Sequence, residues 1–122
     1  MNTTILRGNL VKDPEIKTVT TYSGKETKVT NFILAVSRFY EKANGEREKD
    51  TTFVPCELWS TSAEAVHKHF KKGDPMLLEG SLKSESWEKD GQKRTALKVR
   101  VNRFERLYRK NQDNDIEEEE EN

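Results

Sequence analysis

The segment LLEGSLKSESW, Leu77 to Trp87, changes character along its length. Met76, Leu77 and Leu78 form a short apolar run, the pattern of a buried strand. Gly80 sits inside that pattern, where a bulge or a sharp bend is expected. Beyond it nearly every residue is hydrophilic, yet the segment closes on Trp87. A strand that begins in a core and ends in solvent must project from its domain. A large apolar ring on such a projection is poorly placed for burial and well placed to be stacked upon.

On the C-terminal side, Asp90-Gly91 is a hairpin signal. A last strand follows from about Lys93 to Leu107, in which Leu97, Val99 and Val101 alternate with Lys98, Arg100 and Asn102. On the N-terminal side, Thr61-Ser62-Ala63-Glu64 has the form of a capping box. It predicts a helix with Thr61 as N-cap, an apolar face of Ala63, Val66 and Phe70, basic Lys71 and Lys72 in the last turn, and Gly73 as C-terminal cap before Pro75. Upstream, Thr51 to Trp59 reads as a strand whose Pro55 requires an edge position or a bulge. Asn44-Gly45 marks a hairpin inside a hydrophilic loop, Glu41 to Asp50. Thr27 to Tyr40 is a long strand centred on FILAV. Residues 4–11 alternate as a first strand that Asp13-Pro14 interrupts, and it resumes from Ile16 to Tyr22 before the Ser23-Gly24 turn. The order is strand (long and bent), strand, strand, helix, strand, strand. That predicts an all-β fold with one short helix, a five-stranded OB barrel from which hairpins near residues 45 and 91 protrude. The domain is expected over residues 1–108, with a short, acidic, disordered tail over 109–122.

Leu, Ile, Val and Phe together supply 26 of the 122 residues, enough for only a small core. Lysine and arginine equal aspartate and glutamate at 22 each. Seven of the acidic groups lie between Asn111 and Asn122, where no basic residue stands, so the first 110 residues carry a net charge of +7. A basic body with an acidic tail points to a nucleic-acid partner. Cys56 is the only cysteine, which excludes an intrachain disulfide and a multi-cysteine zinc site. No apolar run reaches membrane-spanning length and no signal-peptide core stands at the N-terminus, so the expectation is a soluble, cytoplasmic protein of a reducing compartment. His67 and His69 are two apart on the predicted helix and face different directions. Neither a phosphate-binding loop, a nucleophile elbow nor a zinc-protease motif is present. The chain is therefore read as neither an enzyme nor a carrier of a cofactor or metal.

The aromatics carry more. Phe39 and Tyr40 stand where the second strand enters the Asn44-Gly45 hairpin, Phe53 and Trp59 on the strand returning from it, and Trp87 near the tip of the other hairpin. Among them lie Arg38, Lys49, Lys83, Lys89, Lys93 and Arg94. Rings stack bases and cations neutralise phosphates, which is what single-stranded nucleic acid requires. The competing reading places Phe53 and Trp59 in the barrel core and Trp87 in a subunit interface.

Several collinear runs resemble bacterial-type single-stranded DNA-binding proteins. They are Ile5-Leu6-Arg7-Gly8-Asn9-Leu10 with Asp13-Pro14-Glu15, Asn31-Phe32 with Ala35, Glu57-Leu58-Trp59, Ala63-Glu64-Ala65, Phe70-Lys71-Lys72-Gly73-Asp74, Glu79-Gly80-Ser81-Leu82, Trp87 and Asp90-Gly91. The resemblance implies an OB-fold homotetramer that coats single-stranded DNA without sequence preference in replication, recombination and repair. It places base-stacking roles on Tyr40, Phe53, Trp59 and Trp87, while the phosphate contacts expected of the cations named above rest on the reading of the residues. Where Tyr40 and Phe53 stand the family usually has tryptophan. Val54 and Pro55 replace a histidine and a basic residue, and Glu85 removes charge ahead of Trp87. The family's tail closes on an apolar tip that docks onto partner enzymes; here the tail ends on Asn122 with Ile116 as its one apolar residue, so replication and repair partners lack that tip. A short tail of this kind suits a phage, plasmid or plastid setting. The alternative function is an OB-fold accessory module that acts mainly through protein contacts in replication restart.

Overall fold

A computed structural model describes residues 1–108. The tail expected over residues 109–122 lies outside the described residues. The elements are β1 (Thr4–Leu10), β2 (Glu15–Thr20), β3 (Glu26–Glu41), β4 (Arg47–Trp59), α1 (Ser60–His69), β5 (Pro75–Lys89) and β6 (Gln92–Arg106). In the sheet they follow the order β1-β5-β6-β4-β3-β2, and a further β1–β3 pairing closes it. Both β1 and β2 pair with β3, at Leu10↔Leu34 and Glu15↔Asn31, so the two segments act as one long strand bent at Asp13-Pro14. Counted that way the barrel has five strands, as the element order predicts.

Alternation places the core. Phe32, Leu34, Cys56, Leu58, Met76, Leu78, Val99 and Val101 point inward, and α1 closes one end of the barrel with Ala63 and Val66, with Phe70 just beyond its end. The hydroxyl of Thr30, itself buried, donates to the Ala63 carbonyl at 2.6 Å and ties the helix to β3 without leaving a polar atom unpaired. Phe104 joins this core, edge-on to Phe70 with ring centroids 5.7 Å apart. Its parity differs from that of Val99 and Val101. The β5–β6 register supplies the reason: Glu79 faces Arg103 but Gly80 faces Val101, so Asn102 is an extra residue on β6. The expected irregularity is thus a bulge opposite Gly80. A Cβ at Gly80 would lie 2.3 Å from the Arg100 carbonyl oxygen, which is why no side chain stands there.

Three local expectations are corrected. Thr61 does not cap the helix: α1 begins at Ser60, and Trp59 occupies the N-cap position without a side-chain capping hydrogen bond. The chain turns instead through Ser60, at φ 63°, so Thr61 already lies within the first turn. Gly73 is not the helix cap either. The helix stops at His69 because Phe70 turns extended to enter the core, and the next backbone N–H groups, of Lys71 and Lys72, donate to Asp74 and Asp13 at 2.8 Å. The hydrophilic loop predicted over 41–50 shrinks to a tight turn, since β3 and β4 stay paired out to Glu41↔Arg47 and Gly45 takes φ 88°.

Candidate nucleic-acid interface

The β3–β4 ladder runs without a register shift from Val29↔Trp59 to Glu41↔Arg47. Pro55 therefore introduces no bulge; it lies beyond the short parallel β4–β6 pairing at Cys56↔Val99 and Glu57↔Arg100. An unbroken ladder makes parity a safe guide to facing. Phe53, Pro55, Glu57 and Trp59 share the face of β4 that points away from the core. Through Glu57↔Arg100 and Arg100↔Ser81 the same face continues across β6 and β5, where it carries Lys98, Lys83, Glu85, Trp87 and Arg94. Phe53, Trp59 and Trp87 are thus brought onto one outer surface. Phe53 is 63% and Trp87 45% exposed. The reading that buries Phe53 in the core is excluded by that exposure.

Trp59 is half-buried and held. Its indole N–H donates to Oε2 of Glu57, and the Arg100 guanidinium lies 5.2 Å from its ring centroid. Glu57 is fully buried although it faces outward, because Lys98 Nζ, 2.6 Å from its Oε1, and Arg100, 3.2 Å from its Oε2, close over it. Burial pushes the Glu57 carboxyl up, but Lys98, the Trp59 indole N–H and Arg100 together outweigh it and hold the group below the usual carboxylate value. Burial likewise opposes the charge on Lys98, yet Glu57 and Glu85 raise its pKa above the ordinary lysine value. The result is a charged layer directly beneath the aromatic surface. Beside Trp59, a cleft of about 360 Å³ is lined by Val19, Thr20, Thr21 and Tyr22.

Tyr40 is not on this surface. It is one residue out of phase with Phe39 and Phe53 and lies on the reverse face of the β3–β4 hairpin. Its hydroxyl donates to Glu48 at 2.6 Å, and Arg38 lies 5.5 Å from its ring centroid. The bond to Glu48 raises the Tyr40 pKa. Of the six cations selected from sequence, Lys49, Lys83, Lys89 and Arg94 fall on the outer face, and none of them forms an ion pair among the described residues. Arg38 and Lys93 fall on the reverse face, and Arg38 approaches Asp50 at 4.0 Å. Glu57, Lys98 and Arg100 belong to the site but were not selected from sequence; only their convergence across β4, β5 and β6 identifies them.

Among the described residues no group of three or more His, Cys, Asp or Glu could hold a metal ion, and no helix is long and apolar enough to cross a membrane. Burial pushes the Cys56 thiol up to about 12, which makes it a core residue without nucleophilic character.

The model of the family described as "Single-strand binding protein family" matches residues 1–107. The chain is 34% identical over 110 residues to a single-stranded DNA-binding protein of Deinococcus radiodurans, covering 89% of this chain and 35% of that protein. It is 31% identical over 120 residues to single-stranded DNA-binding protein 2 of Chlorobaculum tepidum, covering 98% of this chain and 79% of that protein. It is 38% identical over 114 residues to single-stranded DNA-binding protein 1 of Staphylococcus aureus, covering 93% and 69%. The chain thus spans 35% of the Deinococcus relative's length and more than two thirds of the other two. Among solved structures, a deletion mutant of the single-stranded DNA binding protein from Thermus aquaticus superposes with a TM-score of 0.74 at 24% identity, over 90% of this chain and 52% of that one. That likeness concerns the fold.

Proposed function

Because the chain belongs to the single-strand binding protein family, we propose that it is a non-enzymatic protein that coats single-stranded DNA without sequence preference in replication, recombination and repair. The observation that carries this reading is the common outer face of Phe53, Trp59 and Trp87 with Lys49, Lys83, Lys89 and Arg94 among them. Bases stack on the rings and phosphates meet the cations. Tyr40, Arg38 and Lys93 serve the same DNA where it passes over the reverse side of the hairpins. Glu57 presents Trp59 in a single orientation, so less freedom is lost when a base arrives.

The protein acts as a homotetramer in the cytoplasm, at the nucleoid. Supporting the oligomer, β1 is paired along its length with β5 but meets β3 only at Asn9 and Leu10. The remainder of β1 is an open edge, and Ile5 on it is 68% exposed beside a groove of about 570 Å³ lined by Leu77, Glu79, Arg103 and Phe104. An open apolar edge favours pairing with another copy.

Titration of the protein with long oligo(dT), followed by tryptophan fluorescence at low and high salt, tests the reading. Saturable quenching at a defined nucleotide ratio, with affinity falling as salt rises, is expected. A folded protein whose tryptophans stay unquenched would overturn it and leave the protein-docking module in its place.

A further inference from the structure

We propose that Phe39, with the Arg47 guanidinium above it, is an additional base-stacking position on the single-stranded DNA path, farther out along the β3–β4 hairpin than Phe53. The inference rests on the DNA-binding reading and extends its track.

The ladder orders the outer face row by row: Phe39 opposite Lys49, Ser37 opposite Thr51, Ala35 opposite Phe53. Phe39 therefore lies on the surface that holds Phe53, whereas its neighbour Tyr40 does not. Phe39 lies four residues along β3 from Ala35, the cross-strand partner of Phe53, so the two rings are set about 13 Å apart along the ladder. The row between them is polar, its two hydroxyls 3.1 Å apart. Phe39 is 58% exposed and belongs to no core cluster, so it contributes little to folding. One exposed phenylalanine is unremarkable on a protein surface. Here, however, two exposed rings lie on one face of a projecting ribbon. Lys49 stands opposite the outer ring, and Arg47 lies 5.3 Å from its centroid. Ring and cation together satisfy both needs of a single strand, a stacking plane and a phosphate partner. Tyr40 is more engaged in one respect, its hydroxyl being bonded to Glu48.

The test uses Phe39→Trp in a Trp59→Phe/Trp87→Phe background, so that the only indole stands at position 39. Binding is followed independently by anisotropy of a dye-labelled oligo(dT). Quenching of that indole as the labelled strand saturates the protein is the expected result. An unquenched indole on a protein that has bound the strand would overturn the proposal while leaving the DNA-binding reading intact. Failure of the wild-type protein to bind the strand would overturn both. In the wild-type background, Phe39→Ala is expected to weaken binding about tenfold with an unchanged melting temperature. A loss below about twofold would count against the stacking assignment.

Discussion

The indole N–H of Trp59 donates to the buried carboxylate of Glu57, two residues earlier on the same face of β4. A ring on the outer surface is thereby anchored to a charge below it, and that charge is in turn closed in by Lys98 and Arg100.

Replacing Glu57 by alanine removes the counter-charge of two cations. A fully buried pair broken this way costs about 3–5 kcal/mol; because Arg100 and Lys98 retain some solvent contact, about 2–3 kcal/mol is expected here. The midpoint of urea unfolding measures it, and a shift worth less than about 0.5 kcal/mol would show that the network is not structural.

The same carboxylate sets a pH dependence. Its folded pKa is held below its unfolded value, near the ordinary 4.5, so its contribution is complete above that value and is lost as pH falls through the lowered folded pKa. Glu57→Gln should therefore lose stability at neutral pH and show a flatter decline than wild type on acidification below pH 4.5. Parallel curves for the two proteins would contradict the assignment.

Gly80 stands where β6 carries its extra residue, and a methyl there would meet the Arg100 carbonyl oxygen at 2.3 Å and Val99 Cγ1 at 2.9 Å. Both are held by the ladder, so Gly80→Ala forces the strands apart at a cost of about 1–3 kcal/mol. A thermal melt unchanged from wild type would mean that the bulge absorbs the methyl.

Trp87 lies directly across β5–β6 from Arg94, on the outer face and away from the core. Trp87→Ala should weaken oligo(dT) binding about tenfold and leave the melting temperature in place. Affinity that stays within about a factor of two removes Trp87 from the stacking set.

Asn111 to Asn122 holds seven acidic groups, and the body ahead of it is basic. Removing these residues should tighten DNA binding at low ionic strength, with the gain fading as salt screens the competition. Equal or weaker binding by the shortened chain would show that these acidic groups do not compete with DNA for the basic body.

Much of this protein was legible in its sequence because the relevant forces are local. Alternation in 4–11 and at Val99 and Val101, with the apolar runs 32–36 and 76–78, marks buried strands, Asn44-Gly45 and Asp90-Gly91 dictate tight turns, and Ala63 and Val66 define one helical stripe. These follow from side-chain periodicity and backbone sterics, so the five-stranded order and the exposed position of Trp87 could be read directly. The capping box failed for the opposite reason. Its spacing is right, but Trp59 is held by Glu57 and Arg100, and the chain must turn at Ser60 before Thr61 can reach the cap. Facing across strands was likewise beyond reach. Tyr40 and Phe53 differ in parity only relative to a register, and the register depends on how β3 and β4 zip together over thirteen pairs. Sequence by itself determined which rings and cations this protein has and which strands bear them. Tertiary structure alone decided that Phe39 shares a surface with Phe53, that Tyr40 turns away, and that Glu57 lies buried under Lys98 and Arg100. Those outcomes require contacts between β3, β4, β5 and β6, residues far apart in the chain whose proximity no local pattern encodes.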